Sequence, residues 1–384
     1  MARGRLALHH QLGPGGALRF VDVMMPFLVE EWDITLIEVG TATLVDPPEG
    51  VTRVVVRTSS RRPGHVGHLL DIAAVLRAER SVARLIEDGH FDVALVHPSS
   101  VTQAPAMLGW VKRVPTTYYA QEVRRLNHEA GYAIRRRAGS TLEVVKGRAD
   151  TGLQALLGQV DRWAMAAATS VCANSWFSAE SISRVYGREA AVVPLGVDPD
   201  AFTPADVPRR DLVAVGGLEP FKRHDQLIRS VALLPPGERP PLRIVTGRPS
   251  PEERRYLEQL AYECGVELTI AESVSDADLV QAYRSALATC CVASLEPFGL
   301  TVLESVACGT PVVAVAEGGY RETVRDGVNG LLVARSDEAI AEGIRRVMRT
   351  SWDRMTIRST ISEEQTWPAV ARRLGRHLAE VAGR

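Results

Sequence analysis

The sequence predicts an α/β protein made of two doubly wound domains, each built on a parallel sheet. Short β-rich segments alternate with helix-length amphipathic segments in both halves of the chain, which is the pattern of βαβ units. A length of 384 residues fits about two domains of roughly 150 residues each. The segment 193–210 is rich in proline, aspartate and glycine and lacks periodicity, as expected of a linker between domains.

Five buried strands are predicted in the first half of the chain, because each segment is short and dominated by β-branched or aliphatic residues. Helix-length segments at 17–31 and 68–89 separate them. We assign residues 1–195 to a first, Rossmann-like domain, and we expect this domain to bind the acceptor substrate. The predicted strands are 5–10, 32–39, 52–58, 91–97 and 114–121.

The second half repeats the same alternation and predicts a second domain over residues 196–364, which binds the donor. A C-terminal amphipathic helix, at about 365–384, has no strand after it and can pack back on the first domain. Ligands bind parallel sheets at the carboxyl ends of the strands, so two such domains predict a site in the cleft between them. The predicted strands are 211–217, 241–247, 266–272, 287–294 and 311–317.

Composition excludes several classes of protein. The chain is 46% hydrophobic and 24% charged, which excludes bulk disorder. Its net charge of -1 argues against a nucleic-acid partner, and no apolar run reaches the roughly 18 residues of a transmembrane helix. The N-terminus lacks the apolar core of a signal peptide, so a cytoplasmic protein is expected. The five cysteines show no Cys-x-x-Cys spacing, which indicates free thiols.

One segment, 112–148, is strongly basic, with nine Lys or Arg residues against three Glu. The favoured interpretation is a solvated helix and loop surface. The alternative is a basic patch that contacts an anionic acceptor or the inner membrane surface as a peripheral partner.

The segment "EPFGLTVLE" places two carboxylates around a turn. Pro297 disfavours the helical conformation at Glu296, so a helix is predicted to begin near Phe298 or Gly299. The first backbone N–H groups of that helix form an anion site, and Glu304 could accept two hydrogen bonds from a vicinal diol such as a ribose. The alternative is that Glu304 caps its own helix or forms a salt bridge there, with Glu296 an ordinary loop residue.

Two more glycine turns follow predicted strands in the same domain. In "VGGLEPFKRHD", a Gly-Gly turn precedes Lys222 at the predicted start of a helix, where a lysine can neutralise a diphosphate. In "EGGYRE", Gly318 and Gly319 follow a strand and Glu322 begins a helix. Three such turns at one sheet edge favour a nucleoside-diphosphate ligand.

Residues 170–335 resemble the signature segments of retaining glycosyltransferases of family 4, which have the GT-B fold. The segments that carry the resemblance are "SVCANSWFSAESISRVYGREAAVVPLGVDPDAF", "VGGLEPFKRHD", "EPFGLTVLESVACGTPVVA" and "GGYRETVRDGVNGLLV". The N-terminal half resembles the family more loosely, in "LGPGGALRF" and "YYAQEVRR".

The resemblance implies a role for each matching residue. Glu304 would hold the ribose hydroxyls, and Glu296 would hold the hydroxyls of the donor sugar. Lys222 would neutralise the diphosphate leaving group, the backbone at Val274 would contact the base, and Gly16 would approach the phosphate from the N-terminal domain. Lys222 and Glu296 are thus the implied catalytic residues. The implied donor site is Gly16, Lys222, Arg223, Val274, Glu296, Phe298, Gly299, Leu300, Thr301 and Glu304.

The chain departs from the family pattern at two positions. Gly217 stands where the family commonly has an arginine, so Arg223 or another basic group would have to compensate. Gln121 stands where a histidine often lies near the reacting sugar. On the acceptor side the candidates are His9, Gln121 and Glu122. Since His9 and His10 are adjacent on one strand, they point to opposite faces, and only one of them can line a site.

The resemblance implies a metal-independent retaining glycosyltransferase with no cofactor. Its co-substrate would be a nucleoside-diphosphate sugar, with a UDP-sugar favoured and GDP-mannose next. The acceptor hydroxyl would belong to a small polar molecule, a glycan or a lipid. The alternatives are a GT-B sugar-nucleotide epimerase or phosphorylase, and a nucleotide-sugar-binding protein that has lost catalysis.

Overall fold

The computed structural model describes residues 3–40, 42–43, 45–58, 64–99, 101–125, 141–247 and 250–384. The chain forms two compact units, one of Met1–Pro194 with Val370–Arg384 and the other of Leu195–Ala369. Each unit contains one sheet, and every strand pair in both sheets is parallel. The predicted fold class, two doubly wound parallel-sheet domains, is confirmed.

The first unit is built on a seven-stranded sheet with the order β3-β2-β1-β4-β5-β6-β7. Its strands are β1 (Gly4–His10), β2 (Trp32–Val39), β3 (Thr52–Val56), β4 (Val93–Val96), β5 (Thr116–Ala120), β6 (Ser170–Ala173) and β7 (Ala191–Val192). Its helices are α1 (Gly16–Leu28), α2 (Gly64–Asp88), α3 (Thr141–Ala167) and α4 (Trp176–Tyr186), with a 3₁₀ helix at Ala106–Gly109. The strands β6 and β7 were not among the predicted ones.

The second unit is built on a six-stranded sheet with the order β10-β9-β8-β11-β12-β13. Its strands are β8 (Asp211–Val215), β9 (Leu242–Thr246), β10 (Leu268–Glu272), β11 (Ala286–Cys291), β12 (Val312–Val315) and β13 (Gly330–Val333). The helices are α5 (His224–Ala232), α6 (Pro251–Cys264), α7 (Asp276–Ser285), α8 (Leu300–Ala307), α9 (Tyr320–Thr323), α10 (Asp337–Arg349) and α11 (Arg354–Arg358). The C-terminal helix α12 (Trp367–Val381) begins in this unit and continues into the first. Three 3₁₀ helices lie at Pro220–Lys222, Pro236–Glu238 and Glu363–Gln365.

The strand order locates the expected binding edge of each sheet. The order reverses between β1 and β4 in the first unit, and between β8 and β11 in the second. Aliphatic side chains cover both faces of the strands, as in Leu8, Leu95, Ile244 and Val313, each of which is fully buried. Because helices exclude solvent from both faces, only the carboxyl edge at each reversal is open to a ligand.

The C-terminal helix belongs mainly to the first unit. Its residues from Val370 onward are grouped with that unit, while Trp367–Ala369 are grouped with the second. His377 lies within hydrogen-bonding distance of Ser170 on β6, with 2.9 Å between Nε2 and Oγ. Arg384 beyond the helix forms an ion pair with Asp92 at 3.3 Å.

The structure tests only some of the other predictions about the chain as a whole. In the described ranges no helix is long and apolar enough to cross a membrane. All five cysteines are free. Of the basic segment 112–148, residues 126–140 lie outside the described residues, so its proposed role as a patch stays a prediction.

Candidate functional site

The turn between β11 and α8 has the geometry that the sequence predicted. The helix α8 begins at Leu300, and Gly299 is its N-cap residue in the left-handed conformation, with φ 92°. A Cβ on Gly299 would lie 2.7 Å from the ring of Tyr320, so the position requires glycine for space as well as for φ. No side chain caps this end of the helix. The amide of Val302 donates to the Gly299 carbonyl at 2.9 Å, so the preceding amides, of Leu300 and Thr301, are the ones that an anion at this helix end would meet.

Glu304 is a buried acid in the second turn of α8, with 4% of its surface exposed. The hydroxyl of Tyr283, on α7, donates a hydrogen bond of 2.7 Å to Glu304 Oε2. Burial and the neighbouring Glu304 carboxylate raise the pKa of Tyr283 well above its usual value, so this hydroxyl keeps its proton. The bond fixes the orientation of the carboxylate from a neighbouring helix.

Lys222 and Glu296 form an ion pair at the same edge of the sheet. The distance from Lys222 Nζ to Glu296 Oε2 is 2.8 Å, and the two side chains are 23% and 20% exposed. The ammonium also lies 5.4 Å from the ring centroid of Phe221. One detail of the prediction is wrong: Lys222 ends the 3₁₀ helix Pro220–Lys222 and does not start α5, because Arg223 adopts φ 58° and interrupts the helical path.

Backbone hydrogen bonds join the three predicted glycine turns. The amide of Ser294 donates to the carbonyl of Phe221 at 2.8 Å, and the amide of Gly319 donates to the carbonyl of Glu296 at 2.7 Å. A Cβ on Gly318 would overlap the Glu296 carbonyl oxygen, and the residue has φ 57°. The structure therefore brings together the loops that follow β8, β11 and β12, as the sequence predicted.

Arg335 supports this edge and was not found from the sequence. Its guanidinium donates to the carbonyl oxygens of Val292 and Ala293 at 3.0 and 2.8 Å, just beyond β11. It also forms an ion pair of 2.7 Å with Glu317, which precedes the Gly-Gly turn after β12. Arg335 follows β13, a strand that the sequence analysis did not predict, so no local pattern pointed to it.

The departure from the family pattern at Gly217 has a structural counterpart. A Cβ on Gly217 would overlap the carboxylate of Glu219, so an acid occupies the space that a side chain at position 217 would enter. His224 Nε2 donates to the carbonyl of Gly217 at 2.9 Å. Burial lowers the pKa of His224 to about 4, so this imidazole is neutral and adds no positive charge.

Arg223 is the second cation in this loop. Its Nε lies 3.6 Å from Asp225 Oδ1, while the other oxygen of Asp225 accepts a hydrogen bond of 2.8 Å from Arg229. The left-handed conformation costs an ordinary residue roughly 1–2 kcal/mol. Arg223 adopts it with φ 58° at the N-terminus of α5.

Backbone strain is concentrated at this sheet edge. Among the described residues, four that are not glycine have positive φ, and three of them, Arg223, Ser273 and Leu295, lie in loops after β8, β10 and β11. Such residues cluster at functional sites. Val274, the predicted base contact, follows Ser273, whose amide donates to Thr246 at the end of β9.

The predicted acceptor residues, and Gly16 of the predicted donor site, lie at the carboxyl edge of the first sheet. Gly16 is the first residue of α1, in the loop after β1. His9 is fully buried, and its Nδ1 donates to the carbonyl of Ile37 at 2.8 Å. Burial lowers its pKa to about 4. His10 is also buried and bonds to Glu38 at 3.1 Å. Neither histidine is therefore open to solvent.

Gln121 and Glu122 come directly after β5. The side-chain amide of Asn174 donates to Gln121 Oε1 at 3.1 Å, and the hydroxyl of Ser178 lies 3.3 Å from the Gln121 carbonyl. Glu122 forms an ion pair of 2.7 Å with Arg125. Gln121 is buried, and its side-chain oxygen accepts the bond from Asn174. The predicted role of Gln121 therefore depends on Asn174 as well. Among the described residues, no group of three or more His, Cys, Asp or Glu side chains could hold a metal ion.

Comparison with known proteins identifies the family. The family model of glycosyl transferases group 1 matches residues 200–363. A D-inositol 3-phosphate glycosyltransferase from Geodermatophilus obscurus is 34% identical over 304 residues, covering 72% of this chain and 62% of that relative. The protein of the same name from Actinosynnema mirum is 33% identical over 337 residues, covering 74% of each chain. The chain thus spans less than two thirds of the length of the first of these relatives.

Solved structures with the same fold have much lower sequence identity. Sucrose-phosphate synthase from Thermosynechococcus elongatus superposes with a TM-score of 0.78 at 18% identity, covering 99% of this chain and all of the other. HepE from Anabaena, solved in complex with UDP-glucose, gives 0.71 at 17% identity, covering 98% of this chain and all of the other. Together with the sequence relatives, this fold shows that the chain belongs to the group 1 glycosyl transferases, the GT-B glycosyltransferases of family 4.

Proposed function

We propose that this protein is a metal-independent retaining hexosyltransferase that uses a nucleoside-diphosphate sugar as donor. The observation that carries the proposal is the convergence of Glu304, Glu296 and Lys222 at the strand-order reversal of the second sheet. One buried acid suits a ribose diol, one partly exposed acid suits sugar hydroxyls, and one ammonium suits a diphosphate. A UDP-sugar is the favoured donor, with GDP-mannose next, and the UDP-glucose complex of HepE supports that order.

Different residues of the second unit bind different parts of the donor. Tyr283 orients Glu304 toward the nucleoside, and the amides at the start of α8 meet the phosphates together with Lys222. In transfer, the bond between the anomeric carbon and the phosphate oxygen breaks. A bond to the acceptor oxygen forms on the same face, and the acceptor proton passes to the departing phosphate oxygen. Lys222 stabilises the charge that develops on that leaving group.

Arg223 supplies the cation that Gly217 does not. Its strained backbone indicates that the side chain is needed at this position, since a glycine would adopt φ 58° without cost. The neighbouring Asp225 is already bonded to Arg229 at 2.8 Å. A diphosphate is a stronger partner for the Arg223 guanidinium than a shared carboxylate 3.6 Å away.

The acceptor binds in the first unit, at the sheet edge where Gln121 and Glu122 follow β5, whereas the fully buried His9 supports that edge from within β1. Because the curated relatives are named D-inositol 3-phosphate glycosyltransferases, a phosphorylated cyclitol is the first acceptor to test. The chain covers only part of the length of several of these relatives, so other small polar acceptors belong in the same panel.

A thermal-shift panel with UDP, GDP, ADP and dTDP tests the donor site first. At about 100 times Kd, the bound nucleotide should stabilise the fold by roughly 2.7 kcal/mol, which raises Tm by several degrees. One nucleotide should shift the wild type and have little effect on Glu304→Gln. Turnover is then measured with the matching sugar nucleotide and D-inositol 3-phosphate, with and without EDTA, and the product anomer is assigned by NMR.

Lys222→Ala separates catalysis from nucleoside binding, with Lys112→Ala as a control on a surface lysine of the first unit. We expect Lys222→Ala to reduce turnover by more than tenfold while uridine affinity stays within twofold. Full turnover by Lys222→Ala would contradict the leaving-group role. Donor consumption without an acceptor would indicate an epimerase, and nucleotide binding without any turnover would indicate a binding protein.

A further inference from the structure

Glu79 is a buried carboxylate in the first unit that none of the proposed roles uses. It lies on α2 and has no exposed surface. It accepts hydrogen bonds from the side-chain amide of Gln11 at 3.1 Å, from the hydroxyl of Ser99 at 2.6 Å and from the backbone amide of Met107 at 3.2 Å. One carboxylate thus joins three separate segments of the chain.

Two of these segments are the loops at the strand-order reversal of the first sheet. Gln11 directly follows β1, and its loop leads to Gly16 at the start of α1. Ser99 follows β4, the strand paired with β1 on the other side of the reversal. The Ser99 hydroxyl also lies 3.0 Å from Gln11 Oε1, and it accepts the Val101 amide at 3.3 Å. The carboxylate therefore fixes both loops where a ligand of this sheet would bind.

The partners of Glu79 fit its ionised form. Each of the three donates a hydrogen bond, so a proton on the carboxyl group would face a donor and displace one bond. Burial raises the pKa of Glu79 to about 7, although these hydrogen bonds act in the opposite direction. The carboxyl group consequently changes its protonation near neutral pH.

Other titratable groups in the elements packed around Glu79 do not offset its charge. Burial lowers the pKa of His9 on β1 to about 4 and the pKa of His97, just beyond β4, well below its usual value, so both are neutral. Asp161 on α3 accepts the amide of Ala104. Arg80, on the same helix as Glu79, lies 6.0 Å from the ring of Trp110.

We propose that Glu79 is a positioning residue for the acceptor, because its carboxylate sets the geometry of the loops that leave β1 and β4. The inference rests on the proposed function in one respect, that the acceptor binds at this edge. Glu79 itself does not touch the substrate. Its loss should weaken acceptor binding and leave donor binding in the second unit unchanged.

Glu79→Gln tests the proposal, with Glu87→Gln as the matched control. Glu87 lies on the same helix and accepts the backbone amides of Lys112 and Arg113, but it does so before the start of β5, at the opposite edge of the sheet. We expect Glu79→Gln to raise KM for D-inositol 3-phosphate by about tenfold, the effect of one charge-assisted hydrogen bond. UDP affinity should stay within twofold. Glu87→Gln should leave both values unchanged.

The pH profile distinguishes positioning from a general structural effect. In the wild type, KM for the acceptor should rise as the pH falls from 8 to 6, because protonation removes the carboxylate. In Glu79→Gln this rise should be smaller, because only the phosphate of the acceptor, with a pKa of about 6, still titrates in this range. Unchanged KM in the variant, or an equal loss of UDP affinity and acceptor affinity, would overturn the proposal.

Hydrogen exchange on the wild type keeps the proposal testable if Glu79→Gln does not fold. After correction for the intrinsic rate, amides of 11–16 and 101–107 should be less protected at pH 8 than at pH 6, because opening of these loops returns the ionised carboxylate to water. Equal protection would overturn the role of Glu79. Failure of the proposed function would appear separately, as a wild type that binds no nucleotide and transfers no sugar.

Discussion

Replacing Glu296 by glutamine should tighten the binding of free UDP while disabling sugar transfer. Glu296 Oε2 lies 2.8 Å from Lys222 Nζ, so a bound diphosphate competes with a carboxylate for the same ammonium. Glutamine keeps the size of the side chain and removes its charge. Lys222 is then available to the diphosphate, whereas the sugar hydroxyls lose their ionised acceptor.

The magnitude follows from the exposure of the pair. Its side chains are 23% and 20% exposed, so solvent screens part of the attraction. The net value of such a pair is about 1 kcal/mol, far below the bare Coulomb energy at this distance. A tenfold change corresponds to 1.4 kcal/mol, so Kd for UDP should fall about fivefold. High salt should reduce the gain, because it screens partly exposed charges.

Isothermal titration with UDP and with uridine measures the effect. Uridine has no phosphate, so its affinity should be the same in the wild type and in Glu296→Gln. Glu317→Gln is the control, since it removes a carboxylate at the same sheet edge that pairs with Arg335 and not with Lys222. Turnover of the sugar donor should fall at least tenfold in Glu296→Gln alone. If UDP affinity fell together with turnover, the competition between carboxylate and diphosphate would be refuted.

Three further changes test residues that position the side chains and loops of the two sites. Tyr283→Phe removes the hydroxyl that donates a hydrogen bond to buried Glu304. We expect losses of about 1–3 kcal/mol in the free energy of unfolding, measured by urea melts, and in the free energy of UDP binding, measured by titration. Unchanged UDP binding would contradict the role of the bond. Gly318→Ala should lower Tm by several degrees, because its Cβ would overlap a neighbouring carbonyl, whereas Gly327→Ala, with φ 73° and open space, should lower Tm less. Glu79 has a folded pKa of about 7, above its unfolded value, so its contribution to unfolding free energy falls as the pH rises from about 5 to 7. Between pH 5 and pH 8, urea melts should show the free energy of unfolding fall by about 3 kcal/mol more in the wild type than in Glu79→Gln.

Local rules predicted the parts of the fold that depend on local structure. Short β-branched and aliphatic segments identified ten of the strands, and Pro297 placed the start of α8 near Phe298 or Gly299, within two residues of the observed start at Leu300. Glu296, Glu304 and Lys222 were predicted as site residues because each lies beside a glycine turn at the end of a strand, and the structure brings these turns together. In each case the deciding interaction lies within a few residues along the chain.

The features that sequence reasoning missed depend on contacts between distant segments. The strands β6, β7 and β13 have two to four residues, and unlike the equally short β4 and β12 they do not lie within a longer β-rich segment. Arg335 contacts Val292 and Ala293 more than forty residues away, so nothing near it in the sequence marks it. Glu79 occupies one position of a long amphipathic helix, where its burial becomes visible only once β1 and β4 are adjacent.

The two units hold their binding loops by different chemistry, and this difference has a functional consequence. In the second unit the loops are joined by backbone bonds, from Ser294 to Phe221 and from Gly319 to Glu296, which do not titrate. In the first unit they are joined through the carboxyl group of Glu79, whose pKa is about 7. Changes in pH between 6 and 8 should therefore alter acceptor binding and leave nucleotide binding nearly constant. An enzyme built in this way would keep its donor bound while its use of acceptor follows the pH of its surroundings.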